Sequence, residues 1–400
     1  MRLLRQAFSS PLCHLIFLTG TLAVLFAHTN IIPQDNHFNY RDFIETLARG
    51  KIDLSIPGFH GASFLALPLF LITRSPLTNI WFQIACALAL PVAGYWAART
   101  ILKDKFQALL FAYAIALMPF LMFVAFRGFT FPSFSLFLLL TLGLRAKGSR
   151  WAFLALSISI LIKPFSVALL PFFVLWEPHP KASLLNKGWM QFCLAMILPA
   201  LYVITEYAQV GHIIVGTHVD IDQSNVFVLQ RWPLNILHGI QMIFSVHNFY
   251  FPDPAKTGLG NVTHSSPVLM VFGCLSYLYP MEWKDKRLAR TLGLSCLLAF
   301  LLAALLDHMD HFYMETAVIL LTLGAIPFVA SRLLLLPLIL VTFHFQFFYL
   351  YLMWQGTYFP DRALFALPLI VDCVAILIWL VFCGPQIPWQ AIRKNLTTNH

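Results

Sequence analysis

The stretch LLDHMDHFYMETA (305–317), between two apolar runs, is rich in polar residues whose side chains are able to bind metal ions. His308 and His311 are three residues apart and share one face if the stretch is helical, and Asp307 and Asp310 alternate with them. Imidazole and carboxylate groups at this spacing could bind a divalent metal ion. The alternative, which we favour, is a polar helix start that lines a cavity, with an aspartate as its cap. The sequence therefore requires no cofactor and leaves a divalent metal open.

A single cation, Lys163, interrupts the apolar segment ISILIKPFSVALLPFFVLWEP (158–178). Pro164 follows it, so the segment is predicted to form two half-helices with the lysine at the break. A lysine in an apolar membrane segment is costly, and a functional role is the first hypothesis for it. The alternative is a side chain that extends along apolar surface to the outer membrane boundary. The sequence leaves both hypotheses open.

The polar stretch IIPQDNHFNYRDFIETLARG (31–50) follows the first long apolar run. Gly50 ends a helical pattern of apolar residues in this stretch, and charged residues occupy the other faces. The apolar positions are Phe38, Phe43, Ile44 and Leu47. The pattern predicts an amphipathic helix that lies along the membrane surface. Asp35, just before this pattern, is a residue type favoured as an N-cap.

The composition indicates the kind of protein that holds these residues. The chain has 400 residues, 59% of them hydrophobic and 11% charged, and its mean hydropathy is +0.76. It is too apolar for a soluble domain and is predicted to be a polytopic membrane protein. The net charge of +9 comes from short basic clusters between apolar runs, which is how membrane orientation is encoded. Binding to nucleic acid is therefore not expected.

Hydropathy predicts a single transmembrane domain over residues 1–400, all-α, with about twelve transmembrane helices and further interfacial helices on the outer face. The predicted helices are at roughly 10–29, 79–101, 106–126, 129–144, 151–162, 164–176, 189–207, 266–280, 291–306, 315–330, 333–352 and 364–383.

The path of the apolar segment 54–73 decides the topology, because one added span inverts every later loop. If this segment is interfacial or re-entrant, the basic clusters at 103–105, 145–150 and 284–290 all lie on the cytoplasmic side. We adopt that topology because it obeys the positive-inside rule. It leaves two long outer loops, 30–78 and 208–265, and it gathers most acidic and histidine residues on the outer face. The protein is therefore expected to work at the outer membrane–water boundary.

The stretch DNHFNYRDFIETLARGKIDLSIPGFHGASFLALPLFLI resembles the opening region of the polytopic GT-C glycosyltransferases, in particular the protein mannosyltransferase and aminoarabinose transferase group. That region has an aspartate after the first helix, a surface helix that ends in glycine, and a Pro/Gly turn before an apolar segment. Residues 158–178 are similar to the pair of short helices that these proteins join at Lys-Pro or Lys-Gly. The resemblance covers roughly residues 10–207 and implies a GT-C-like helical bundle.

The resemblance implies an inverting transfer of a sugar from a polyprenyl-phosphate donor to a glycan, lipid or protein acceptor in the outer leaflet. Asp35 matches the family aspartate, and a carboxylate at the head of the first helix could take the proton of the acceptor hydroxyl. Its alternative role is the helix cap described above, and Asp53 is the second carboxylate of the loop. The resemblance also implies a bacterial inner membrane, with the active site facing the periplasm.

A leaving phosphate needs positive charge, and the family chemistry offers this role to Lys163. Other outer-facing cations could clamp a phosphate or act as interfacial anchors. These are Arg41, Arg74, Arg127 and Arg231. The candidate substrate-binding residues are Lys163, Arg41, His60, Asp53, Arg231, His308 and His311. The family's Arg-Tyr pair is replaced by HFYMET, so no phosphate-binding arginine is carried over to that region.

Two other classes of protein compete with the transferase. A ligase or polymerase of lipid-linked saccharides shares the substrate class but lacks the early aspartate. A lipid or sugar flippase would be expected to show inverted repeats, and no second segment mirrors the break at Lys163. The chain has no Walker loop, dinucleotide fingerprint or nucleophile elbow, and its seven cysteines lie in or beside apolar runs as free thiols. These absences argue against an ATP-driven pump and against direct use of nucleotide sugars.

Overall fold

The computed structural model describes residues 10–28, 31, 33, 35–118, 125–179, 183–211, 230, 232–244, 266–305 and 314–332. Regular secondary structure in these residues is entirely helical, which confirms the all-α prediction for this part of the chain. The first seven α-helices are α1 (Pro11–Ala27), α2 (Asp35–Ala48), α3 (Gly61–Thr73), α4 (Thr78–Leu102), α5 (Lys105–Ala116), α6 (Phe131–Ala146) and α7 (Ala152–Ile162).

The helical pattern continues beyond Lys163 in shorter pieces. A 3-10 helix (Pro164–Leu169) leads into α8 (Leu170–Val174), and a 3-10 turn (Leu184–Asn186) follows later. The remaining α-helices are α9 (Gly188–Ala195), α10 (Ile197–Val210), α11 (Trp232–Phe244), α12 (Pro267–Leu278), α13 (Lys286–Ala304) and α14 (Glu315–Ala330). The predicted helices 333–352 and 364–383 lie outside the described residues.

Three described helical stretches are long and apolar enough to cross a membrane, and eight shorter apolar stretches accompany them. The three are Thr78–Leu102, Gly188–Val210 and Lys286–Ala304. The chain is therefore an integral membrane protein, and the number of its spans stays a prediction. The predicted helix 106–126 ends early, at Ala116. Pro119 lies just beyond, and a residue that precedes proline disfavours the helical conformation, so the helix stops before it.

Helix α4 is the central element of the first half and packs against α5, α6, α1 and α3. Small buried residues of α4, including Ala93, Gly94 and Ala97, allow neighbouring helices to approach closely. In the second half α12, α13 and α14 pack together, and α14 also contacts α5 and α6. One continuous apolar core therefore joins the two halves.

The two ends of the bundle differ in chemistry. Three lysines line one cavity at one end of the bundle: Lys103 after α4, Lys147 after α6 and Lys284 before α13. We call this end of the bundle the basic end. At the other end, which we call the polar end, lie the start of α2, the loop before α3 and the start of α6. Arg145, fully buried near the basic end, donates hydrogen bonds to the backbone oxygens of Phe173 and Trp176. The chain after Lys163 therefore turns back to the basic end.

Helix α2 forms as predicted, and Phe43 and Ile44 of its predicted apolar face are buried, but Phe38 is not. His37, Tyr40 and Phe43 are each at most 1% exposed. Phe38, expected on the apolar face, is 42% exposed, and the Arg41 guanidinium lies over its ring at 5.1 Å. The assignment of Phe38 to that face is therefore wrong. The physical reason is that α2 packs against α3 and α4, so protein rather than lipid selects the buried side chains.

Candidate functional site

Lys163 lies at the break between α7 and the 3-10 helix, as the sequence predicts. Because Pro164 follows, Lys163 takes an extended conformation (φ −152°, ψ 125°) and its N–H still donates to Ser159 O at 2.9 Å. The side chain is 8% exposed. Its Nζ lies 4.6 Å from the ring centroid of Phe131, the first residue of α6, which is a cation–π contact. A buried positive charge therefore stands at the start of α6.

The loop before α3 packs onto this lysine. The Phe59 ring centroid lies 6.0 Å from Lys163 Nζ. Gly61, the first residue of α3, touches the end of α7 so closely that a Cβ there would lie 2.5 Å from the Leu161 carbonyl carbon. Only glycine allows this approach. The close contact between α3 and α7 therefore sets how near the first outer loop comes to Lys163.

His60 is enclosed in an aromatic stack and is fully buried. Its ring stacks on Phe43 of α2 with centroids 3.7 Å apart and planes 3° apart, and Tyr40 meets it edge-on at 6.2 Å. One ring nitrogen, Nε2, lies 2.7 Å from Ile56 O. Burial lowers the pKa of His60 to about 4, although the hydrogen bond to Ile56 acts in the opposite direction. His60 is therefore neutral at physiological pH and joins α2 to the loop before α3.

The first turns of α2 reach the segment that precedes α6. The His37 ring packs on Gly128, where an added Cβ would lie 2.8 Å from His37 Nδ1. Asn79 of α4 holds the same glycine, because its Nδ2 donates to Gly128 O at 2.6 Å. Arg127, the residue before Gly128, is 8% exposed and so is buried instead of forming an exposed interfacial anchor. Asp35 begins α2, and the structure describes its backbone only.

A buried acid, Glu315, also reaches the start of α6. It is 1% exposed at the beginning of α14 and accepts a hydrogen bond from Ser135 Oγ at 2.9 Å. Sequence reasoning did not single it out, although an acidic residue directly before a long apolar run was a visible signal. Lys163, His37, Arg127 and Glu315 all lie around the first two turns of α6 or the segment before it. We call these four residues the α6-start cluster.

Two predicted substrate-binding residues are engaged in local contacts at the surface. Arg41 forms an ion pair with Asp42 at 2.7 Å and lies 3.9 Å from Glu45. Asp53 accepts a hydrogen bond from Ser55 Oγ at 2.5 Å and pairs with Lys51 at 3.2 Å. The hydrogen bond from Ser55 and that from Lys51 hold the pKa of Asp53 below its usual value. These contacts place Arg41 on the surface of α2 and Asp53 in a turn.

The remaining predicted residues lie outside the described part of the chain. They are Arg231, Asp307, His308 and His311. The predicted outer loop 208–265 is described only at 208–211, 230 and 232–244. Among the described residues no group of three or more histidine, cysteine, aspartate or glutamate side chains could hold a metal ion. Metal binding by the 307–311 cluster thus stays a prediction.

Comparison with known proteins gives one structural likeness. No protein-family model matches the chain, and no curated protein sequence matches it. Among solved structures it is similar to the archaeal oligosaccharyltransferase AglB from Archaeoglobus fulgidus, in complex with an inhibitory peptide and a dolichol-phosphate. The two share 13% sequence identity with a TM-score of 0.47, over 94% of this chain and 55% of that chain. The chain thus spans about half the length of the structure it matches.

Proposed function

We propose that this protein is a membrane glycosyltransferase of the GT-C type. It moves a sugar from a polyprenyl-phosphate-linked donor to an acceptor at the outer face of the membrane, with inversion at the anomeric carbon. The acceptor is a glycan, lipid or protein hydroxyl, and Asp35 is the base. The proposal draws on the sequence resemblance and on the chemistry of the polar end.

The observation that carries the proposal is the position of Lys163. Its ammonium is buried at a helix break, against the first turn of α6, at the same end of the bundle as the start of α2. A phosphate leaving group develops negative charge in the reaction, and a buried ammonium at this place can stabilise that charge. Buried Arg127, which lies just before α6, offers a second cation at the same end.

The proposed reaction is a single displacement. The acceptor oxygen attacks the anomeric carbon as the bond from that carbon to the phosphate oxygen breaks, and the bonding electrons leave with the lipid phosphate. The acceptor proton passes to the Asp35 carboxylate. The contact of His37 with Gly128 supports this role, because it anchors the helix that Asp35 begins beside the segment leading to α6. Asp53, whose carboxylate is engaged with Ser55 and Lys51, is the weaker base candidate.

The test of the proposal is a transfer assay with purified protein. Incubation with a panel of polyprenyl-phosphate sugars and acceptors should release lipid phosphate from one donor and give a glycosylated acceptor of inverted anomeric configuration. Movement of intact donor across a vesicle bilayer, without release of lipid phosphate, would instead identify a flippase. Joining of whole lipid-linked saccharide chains would identify a ligase or polymerase.

The sharpest variant is Asp35→Asn, which keeps the size of the side chain and most of its ability to start a helix. Loss of the base should reduce turnover by about 10²-fold or more, while the unfolding temperature changes little. Asp42→Asn, an exposed position on the same helix, is the matched control and should keep its activity. If Asp35→Asn transfers sugar at a near-normal rate, Asp35 is a helix-start residue only, and Asp53→Asn becomes the next variant to measure.

A further inference from the structure

A cavity of about 470 Å³ opens at the basic end, far along the bundle from the α6-start cluster. Its walls come from the ends of α4 and α6, the segment after α8 and the turn between α12 and α13. Three lysines, Lys103, Lys147 and Lys284, line it together with the polar side chains Thr100 and Gln107. Its volume falls in the range of about 300–1,000 Å³ that is usual for small-molecule sites.

The acidic residues of this cavity are already engaged by other groups. Glu177 forms an ion pair with buried Arg145 at 3.0 Å and accepts from the Gly188 N–H at 2.7 Å. Glu282 pairs with Arg332 at 3.2 Å. Each carboxylate therefore has a cation that is not one of the three cavity lysines.

Asp285, the third acid, caps α13 and also holds an indole. It accepts from the N–H groups of Arg287 at 3.0 Å and Leu288 at 2.9 Å, and from Trp176 Nε1 at 2.9 Å. Lys103 lies near enough to interact with it electrostatically. The Asp285 carboxylate is thus engaged by hydrogen bonds within the protein. Its negative charge does not compensate Lys147 or Lys284, the other two lysines of the cavity.

The ammonium groups of Lys147 and Lys284 have no ion-pair partner among the described residues. Both side chains are exposed to solvent at the cavity. The indole nitrogens of the walls donate elsewhere, since Trp283 Nε1 donates to Ser276 Oγ at 2.8 Å. The site therefore combines two available cations with hydroxyl and amide groups and with apolar indole faces.

We propose that this cavity binds a phosphate-bearing anion, held by Lys147 and Lys284 with Lys103 beside them. The chemistry fits the phosphate of an anionic lipid headgroup, because the basic end is the end expected at the cytoplasmic membrane boundary. It equally fits a soluble phosphate compound, since the lysine ammoniums recognise the phosphate group itself. The proposal does not depend on the proposed transfer reaction, because none of the cavity residues belongs to the α6-start cluster.

The test is a binding measurement on the full chain in a neutral detergent. Two probes separate the sources: dihexanoyl phosphatidylglycerol below its micelle concentration, and glycerol 3-phosphate. Each is titrated while the unfolding temperature is followed, and binding should appear as a saturable increase. The double variant Lys147→Gln/Lys284→Gln should raise Kd at least tenfold. The matched control Lys105→Gln/Lys286→Gln removes two exposed lysines of the same end that do not line the cavity, and it should change Kd less than twofold.

Each outcome decides the proposal. Binding of the lipid alone supports a headgroup site, and binding of both probes or of glycerol 3-phosphate alone supports a site for phosphate itself, provided that the double variant weakens it. Absence of saturable binding by either probe overturns the proposal. So does an equal loss of affinity in the test and control variants, because that pattern reports a diffuse surface field instead of a site. If the double variant unfolds, the Kd values of the single variants Lys147→Gln and Lys284→Gln are compared with those of the single variants Lys105→Gln and Lys286→Gln.

Discussion

At the scale of single residues, the ammonium of Lys163 is the group whose removal says most about the reaction. It is 8% exposed, and its charge is stabilised in part by the Phe131 ring. Lys163→Met keeps the length and an apolar contact with the ring, so the fold should assemble. If the ammonium holds the donor phosphate, donor binding should weaken by about 1.5–3 kcal/mol, the range for a hydrogen bond to a charged group.

The measurement is a titration of the purified variant with a polyprenyl-phosphate sugar. Lys51→Met, which removes an exposed lysine at the same end of the bundle, is the control and should bind the donor as the wild type does. A folded Lys163→Met protein with unchanged donor affinity would make Lys163 an anchoring residue without a part in catalysis.

His60 makes the stability of the polar end depend on pH. Its pKa is lowered to about 4 in the folded protein, from 6.5 in the unfolded chain, and it lies in the turn that precedes α3. The unfolded state therefore takes up a proton first as the pH falls, and stability is lost from about pH 6.5 down to about pH 4. Between pH 7 and pH 5 this single group should remove about 2 kcal/mol of stability.

Thermal unfolding in detergent at pH 7 and pH 5 measures this effect. His60→Gln keeps a donor for Ile56 O but cannot titrate, so its unfolding temperature should fall less between the two pH values than that of the wild type. His28→Gln, at an exposed histidine, should leave the wild-type pH dependence unchanged. Equal pH dependence in wild type and His60→Gln would show that other groups control it.

At the scale of secondary-structure elements, the contact between α3 and α7 is the tightest constraint on the proposed site. Gly61→Ala introduces a Cβ 2.5 Å from backbone carbon, and neither backbone can move without moving its helix. We expect a loss of about 1–3 kcal/mol of stability, the usual cost of overpacking. Phe59 and Lys163 should also separate, so donor affinity should fall with it. Unfolding of the variant in detergent and a donor titration measure the two effects.

Gly20→Ala is the matched control for that substitution. Gly20 also lies in a helix, but an added Cβ there meets nothing within 4 Å. Replacing a helical glycine by alanine in open space should be neutral or stabilising by up to about 1 kcal/mol. Should Gly61→Ala behave as Gly20→Ala does, the close approach of α3 to α7 would not constrain the site.

The ends and breaks of helices could be predicted from the sequence where a proline or glycine at that position determines them. Pro164 fixes the break at Lys163, and Gly50 follows the end of α2 in a conformation with φ +78° that favours glycine. Features set by packing could not be predicted in this way. The burial of His37 depends on its contact with Gly128, and the exposure of Phe38 depends on how α2 packs against α3 and α4. No pattern within α2 reveals either. Burial of Glu315 depends on Ser135, 180 positions away in the sequence.

At the scale of the whole molecule, the two ends of the helical bundle carry different kinds of charged residues. Buried charge at the polar end belongs to a few residues around the start of α6, whereas the basic end carries many exposed cations. Helix α3 contributes to this asymmetry. It begins against the end of α7, and its last residue, Thr73, contacts Thr78 at the start of α4. Both ends of α3 thus lie near the polar end, and the re-entrant or interfacial path of 54–73 stays a prediction.

That path leads to a topology that labelling can test. Cysteines are placed at three exposed positions, Lys51, Lys105 and Arg150, in a background that lacks all seven native cysteines. In intact cells an impermeant thiol reagent should modify only Lys51→Cys, because the positive-inside rule keeps the two basic turns in the cytoplasm. All three should react after permeabilisation. Reaction of Arg150→Cys and Lys105→Cys together with Lys51→Cys in intact cells would mean that α3 crosses the membrane, and the basic end would then face outward. Reaction of those two without Lys51→Cys would invert the whole molecule and place Asp35 and Lys163 on the cytoplasmic side.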